Sequence, residues 1–479
     1  MRFFLAAALA LAPLPAFAQA EVMAPILAEA GPGTRWGVVV ADSEGREVVA
    51  LNPEGRFMPA SNTKIFITAA ALWAEAQGVG PDLANSGAQV RLETAGRRNT
   101  PDVILTGRGD ARLSAAPTCV SDCLSALADA VAGRSKAVHD VVGDATVFPD
   151  QRWSPGMSWN NIPSPYGTGI SALTLDDNEI NAVVTPGVLG SPPQIALPAY
   201  YSIDNHARTV PGDSGTLAYD RLPFSRVLVV TGTIGAAHAP LAWRLGVDDP
   251  AEYAAWRLAE MLRARGVAVS GKIVSRYRPS MPEDDPKQRT GMPVRPPFRD
   301  ALATLTPGPL SEDIATINKV SQNLHSELLL RRLGLARGTG SIADGQAVVQ
   351  AMLTAAGVAG PQVSLSDGSG MSTYNRVAPR GMVRLLGWIA KQPWGGQFRA
   401  SLPIGGVDGT LRRRFAGTPL ASKVFAKTGS LNATNALAGW LTAASGKTLT
   451  FAIYANDVPE GVSATAIIDR ALVALAAAN

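Results

Sequence analysis

The period of hydrophobic and polar positions changes several times along this chain, and the changes mark its elements. Trp36 to Ala41 and Glu47 to Ala50 are two short apolar runs separated by the turn residues Asp42, Ser43, Glu44 and Gly45, which predicts a hairpin. A helical stretch follows, with its start at Ser61 and an apolar body from Ile65, Phe66 and Ile67 to Leu72 and Trp73. From about Asn85 strand-like pieces at Gln89–Thr94 and Val103–Thr106 are broken by glycine-rich turns, and a helix is predicted at Leu124–Ala132. Asn181–Pro240 reads as short strands. An amphipathic helix then spans about Ala251–Arg265, with Asp249 as N-cap, Pro250 in its first turn and Gly266 at its end. The proline-rich stretch Pro279–Pro297 reads as a linker or long surface loop. Beyond it the period is helical at Asp313–Lys319, Leu324–Leu335 and Ile342–Ala356. A second hairpin is expected from Ala436–Thr442 and Leu449–Ala455, before a final helix at Ala464–Ala478. The two chain ends are alike in texture and the middle looks inserted.

Composition adds a compartment and excludes some functions. The chain opens with Arg2 and an apolar run from Phe3 to Phe17 that ends in Ala16, Phe17 and Ala18, the pattern of a secretory signal peptide cleaved after Ala18. The run is interrupted by Pro13 and Pro15 and falls short of the roughly 20 apolar residues that span a bilayer. A periplasmic location follows as the expectation, with peripheral membrane or cell-wall association left open. At roughly 150 residues per domain the remainder holds about three domains. The formal net charge of +4 is small for 479 residues and no Lys/Arg-rich run is present, so nucleic acid is not an expected partner. Cys119 and Cys123 would form a local disulfide in an oxidising compartment, or remain two buried thiols.

Three short motifs carry chemistry. Ser61-Asn62-Thr63-Lys64 opens the first helix, and the i, i+3 spacing places Ser61 and Lys64 on one face. A serine hydroxyl needs a base to take its proton. A lysine serves when burial and nearby positive charge lower its pKa. Ser321-Gln322-Asn323 lies between two helical stretches: Ser321 could relay a proton and the Asn323 amide could hold a substrate backbone. Lys427-Thr428-Gly429-Ser430 precedes the second hairpin. On an edge strand Lys427 and Thr428 would bind a carboxylate and Gly429 would allow close approach. The Ser430 N–H would join that of Ser61 in an oxyanion hole, where each donor is worth about 3–4 kcal/mol. Each motif alone arises often by chance, and each has a plain reading as a cap or turn. The ordered set S-x-x-K, S-x-N, K-T-G does not.

That set is the triple of the penicillin-binding proteins and serine β-lactamases. The long stretch between Lys64 and Ser321 resembles the low-molecular-mass class C penicillin-binding proteins, the D-alanyl-D-alanine carboxypeptidase/endopeptidase family. Further pieces resemble that family: Gly143–Phe148, Trp159–Ile162 with Tyr166-Gly167 and Ser171-Ala172-Leu173 through Asn178, Asp367–Ser372, and Leu402–Leu411. The resemblance implies an α+β fold, an antiparallel sheet flanked by helices, with a large inserted region of two smaller modules. The implied division is 19–84 with 300–479 as the catalytic domain, 85–182 with 241–299 as a second domain, and 183–240 as a nested β-rich third. It also implies Ser61, Lys64 and Ser321 as catalytic residues, Asn323, Lys427, Thr428, Gly429 and Ser430 as substrate-binding residues, peptidoglycan stem peptides as substrates, β-lactams as covalent inhibitors, and no cofactor or metal. Asn161 stands where many members carry an acid that meets the substrate side-chain ammonium, and Thr373 where an arginine is common, which puts the side-chain preference in doubt. Rival readings are a β-lactamase, against which the length speaks, and a non-catalytic wall-binding protein, which would not need all of these residues. Gly212-Asp213-Ser214-Gly215 matches a chymotrypsin-like nucleophile motif, but no histidine stands in the matching context. His325 reads as a helix-packing residue, and His139, His206 and His238 are scattered.

Overall fold

A computed structural model of the chain describes residues 16–81, 86–94, 99–293 and 300–479, with side chains from residue 21. Most of the signal-peptide run, the border near residue 84 and the end of the proline-rich stretch lie outside the described residues. Close contacts divide the chain into two compact units, 1–62 with 356–363 and 376–479, and 63–355 with 364–375. The cuts fall at other places than the three-domain borders read from the sequence.

The first unit is built on a five-stranded antiparallel sheet in the order Glu47–Leu51, Arg35–Ala41, Thr448–Asn456, Thr434–Thr442, Val424–Leu431. Both predicted hairpins are present, and the chain ends meet where Val38 pairs with Ile453. Strand alternation explains the packing. Val38, Val40, Phe451 and Ile453 share a core with Met23 and Leu27 of the helix Ala16–Ala28 and with Ile468 and Leu472 of the helix Ala464–Ala477. The helix Pro379–Ile389 packs against the three central strands Arg35–Ala41, Thr434–Thr442 and Thr448–Asn456; it is absent from the sequence reading, and so is the short helix Gly395–Ser401.

The second unit contains a bundle of the helices Thr63–Ala76, Asn323–Arg337 and Ile342–Ala355. It also contains a mixed sheet in the order Ile273–Arg278, Val141–Pro149, Asp102–Thr106, Gln89–Glu93, Ala303–Thr304. The helices Leu124–Arg134 and Pro250–Ala264 fall as predicted, and the Asp249 carboxylate caps the latter by accepting the Glu252 N–H. The helix expected at Asp313–Lys319 starts earlier, at Leu310, and changes after Ala315 into a π-helical turn, Thr316–Val320. Cys119 and Cys123 are disulfide-bonded. The proline-rich stretch is held down where described, through ion pairs of Arg278 with Asp284 and of Arg289 with Asp344. Among the described residues no helix is long and apolar enough to cross a membrane.

The short strands between Glu179 and Gly246 are pinned by one buried ion pair. Arg221 donates to both oxygens of Asp248, which also accepts the Phe224 N–H, and both side chains are almost fully buried. Removing one partner of such a pair leaves an unpaired buried charge, at a cost of about 3–5 kcal/mol. Asp248→Ala is therefore expected to lower unfolding stability by about that amount, measured by denaturant titration, whereas substitutions at exposed Asp204 should leave it within about 0.5 kcal/mol.

Candidate active site

In the first unit Ser61 sits in the 3-10 turn Ala60–Asn62, directly ahead of the helix Thr63–Ala76. The predicted helix start is thus a tighter turn, entered through Ala60 at φ +48°. This turn lies against the strand Val424–Leu431, which carries Lys427 to Ser430 and forms the expected sheet edge. The Asn62 side chain donates to the Lys427 carbonyl at 2.8 Å. A Cβ on Gly429 would lie 2.6 Å from the Pro59 carbonyl oxygen, so only glycine lets strand and turn come this close. Lys427 is fully buried and its Nζ donates to the Thr428 carbonyl; the Thr428 hydroxyl bonds that of Thr410. Ser430 is exposed.

In the second unit Lys64 is fully buried. Its Nζ donates to Asn323 Oδ1 at 2.7 Å and to the Ser369 carbonyl at 2.5 Å. Burial pulls its pKa down to about 7, although the charges acting on it, Asp367 and Glu327, are acidic and push the other way. Desolvation therefore replaces the positive charge expected from the sequence. The Asn323 Nδ2 donates to the Tyr166 carbonyl, so the amide links the lysine to the inserted region. Ser321 follows the π-helical turn in the left-handed conformation, φ +67°, and is partly exposed. π-Helical turns of this kind recur at functional sites.

Asn161 lies on the exposed turn Trp159–Asn161, its amide donating to the Ser158 carbonyl. Thr373 is on a neighbouring segment, its N–H and hydroxyl both bonded to the Gly156 carbonyl. Two acids further along the chain have partners of their own: Asp176 accepts from Ser114 and the Ala115 N–H, and Asp177 binds His325.

Behind Lys64, sequence reasoning missed Glu327 and marked Asp367 only as part of a family-like piece, with no role. Glu327 Oε1 accepts the Gly368 and Ser369 N–H groups at 2.9 Å and its Oε2 accepts from Arg331. Asp367 accepts from the Gly370 and Ser372 N–H groups and from Asn375. Burial and the Glu327 charge push the Asp367 carboxyl above its usual range. Together the two acids shape the loop that turns the Ser369 carbonyl onto Lys64. The i, i+4 relation of Asn323 to Glu327 on one helix face was an available signal. His325 is corrected from a packing residue to a buried ion-paired one, 3.0 Å from Asp177 and 3.6 Å from Asp313. His139, next to Asp140 in the sequence, is brought beside Asp102 by strand pairing.

Comparison with known proteins gives the family of the chain. Residues 19–479 match the profile of the D-Ala-D-Ala carboxypeptidase 3 (S13) family. The chain is 33% identical over 465 residues to a D-alanyl-D-alanine carboxypeptidase of Actinomadura sp. (strain R39), covering 93% of this chain and 81% of that one. It is 28% identical to the D-alanyl-D-alanine carboxypeptidase DacB of Haemophilus influenzae over 69% of this chain and 67% of the relative. The crystal structure of penicillin binding protein 4 from H. influenzae superposes with a TM-score of 0.76 at 24% identity, covering 94% of this chain and 96% of that one, which supports the α+β fold with its antiparallel sheet.

The depressed Lys64 pKa has a thermodynamic signature. The unfolded chain binds this proton up to the ordinary lysine range and the folded chain only to about 7, so Lys64 makes stability rise with pH between those values. The slope is about 1.4 kcal/mol per pH unit. Lys64→Met should lack this rise, gaining most over the parent at pH 7 and least near pH 10, as read from denaturation midpoints.

Proposed function

Because the chain belongs to the D-Ala-D-Ala carboxypeptidase 3 (S13) family, we propose that it is an exported, periplasmic serine D-Ala-D-Ala carboxypeptidase, with D,D-endopeptidase action on cross-linked stems, working through an acyl-enzyme on Ser61. The observation that carries this reading is the buried Lys64, its pKa drawn down to about 7 by desolvation, three residues after Ser61 and in the first turn of the helix that follows it. A neutral amine there accepts the Ser61 proton as Oγ attacks the carbonyl of the penultimate D-alanine. The C–N bond then breaks, and the proton passes by way of Ser321 to the leaving amine. Water attacks the ester next and returns the proton, freeing Ser61.

The remaining roles follow from position. Backbone N–H groups of Ser61 and Ser430 hold the developing oxyanion. Lys427 and Thr428 take the terminal carboxylate, Gly429 lets the substrate backbone approach, and Asn323 orients it. β-Lactams mimic the D-Ala-D-Ala bond and acylate the same serine. The catalytic domain is assigned to 19–84 with 300–479, and the inserted second and third domains to 85–182 with 241–299 and to 183–240.

Benzylpenicillin should add one penicilloyl group to the intact protein, with peptide mapping placing it on Ser61. Labelling that persists in Ser61→Ala would overturn the assignment.

Substrate preference rests on Asn161. A hydrogen bond to a charged group contributes about 1.5–3 kcal/mol and a neutral one about 0.5–1.5 kcal/mol. With an amide at 161, and Asp176 and Asp177 engaged internally, the ammonium of a diaminopimelate side chain meets no free acid among these residues. Asn161→Asp is expected to raise kcat/KM about tenfold on stems with a free side-chain ammonium and not on acetylated ones. A wild-type preference for the free amine of a hundredfold or more would contradict the neutral pocket.

A further inference from the structure

Two strained backbone segments lie on either side of His325. Asp176, Asp177 and Asn178 are three consecutive non-glycine residues at φ +49°, +57° and +53°, and Ser321 is at φ +67°. Single Asp or Asn residues visit this left-handed region readily, but a run of three persists only where its surroundings over-determine it. The Asn178 side chain fixes part of the first turn, accepting the Leu175 N–H and donating to the Gly169 carbonyl. Beyond that, the Asp177 carboxylate is held by His325 Nε2 at 3.0 Å. The other ring nitrogen faces Asp313 Oδ1 at 3.6 Å, too long for a hydrogen bond and held as an ion pair. Asp313 lies on the helix Leu310–Ala315, which leads through the π-helical turn to Ser321, and His325 lies four residues after Ser321. The ring thus ties the inserted region to both flanks of the S-x-N segment.

We propose that His325, as an imidazolium, is a positioning residue that clamps Ser321 and Asn323 between Asp177 and Asp313, so that acylation depends on its charge. The inference rests on the serine-hydrolase reading above. With both ring nitrogens protonated, the histidine can serve two carboxylates; neutral, it keeps one N–H. The charged groups around it come from every neighbouring element. Asp177 belongs to the strained turn and Glu179 to the strand beyond it, and Asp313 comes from the preceding helix. Arg112 and Arg332 pair with Asp313, Asp110 lies near Asp313 and Arg332, and Glu327 and Arg331 share the helix of His325. Although burial alone would lower it, the two carboxylates raise the His325 pKa to about 9, while His325, Arg332 and Arg112 outweigh burial and hold Asp313 well below the carboxylate range. The clamp is therefore present through neutral pH and is lost as pH rises through about 9, opposite in sense to Lys64, which gains activity as pH rises through about 7.

The experiment is the pH dependence of the second-order rate constant for acylation by benzylpenicillin, in the full chain. Wild type should rise through about pH 7 and fall above about pH 9. Asp177 is partly exposed, so Asp177→Asn should fold, and its alkaline limb should move down by about one pH unit or more while the acid limb stays in place. His325→Gln should lose the alkaline limb and acylate about tenfold or more slowly at pH 7.5. The His325 ring proton, followed by NMR in wild type and in Asp177→Asn, should titrate at the same pH as the alkaline limb of each. An alkaline limb unmoved in Asp177→Asn, or a His325 resonance titrating near the ordinary value, overturns the clamp while leaving the serine-hydrolase reading intact. No acylation of wild type at all overturns both.

Discussion

The burial of the Lys64 amine is the constraint on which the rest of the second unit depends. An ammonium in that place would be favoured by carboxylate acceptors, yet the Lys64 amine donates to neutral carbonyl oxygens of Asn323 and Ser369. The nearby acids are occupied elsewhere. Glu327 takes two loop N–H groups and Arg331, and Asp367 takes two more N–H groups and the Asn375 amide. Their charges oppose neutralisation of the lysine, and desolvation prevails. A chain that buries an amine so gives up stability, because the unfolded chain holds this proton to higher pH than the folded one.

The helix Asn323–Arg337 shows the same economy in a different form. It is buried along most of its length although it carries His325, Glu327, Arg331 and Arg332. Each of these has a partner: Glu327 with Arg331 one turn on, Arg332 with Asp313, and His325 with Asp177 and Asp313. Desolvating such pairs is costly, and well-packed apolar residues would serve stability as well or better. What the charges supply here is direction. They orient the loop that faces Lys64 and hold the segment that presents Ser321. In the first unit the corresponding constraint is steric, where Gly429 admits the Pro59 carbonyl against the edge strand.

How much of this is legible without coordinates depends on how local the cause is. The amphipathic helix Pro250–Ala264 is readable because its cap, its first-turn proline and its polar face are all neighbours in sequence. The hairpins are readable from alternation and turn residues. The helix Pro379–Ile389, though amphipathic, is masked in the sequence by Gly381 and Gly387, which weaken a helical pattern that packing against the sheet sustains. The helix expected at Asp313–Lys319 is legible as a helix but not as one that widens into a π-turn, because that turn is a matter of register.

The amino-acid sequence by itself determined the inventory: a serine three residues before a lysine at a helix start, an S-x-N between helices, and a K-T-G ahead of a hairpin. These are short-range patterns whose spacing alone sets which face a side chain occupies. Only the tertiary structure decided the electrostatics. The Lys64 amine meets a carbonyl 305 residues away, Asn62 meets one 365 residues away, and His325 meets an aspartate 148 residues away. Desolvation and ion pairing depend on what surrounds a group in three dimensions, and no window along the chain contains those neighbours. For that reason the same lysine that reads as a candidate base in the sequence has its pKa drawn down to about 7 only in the fold.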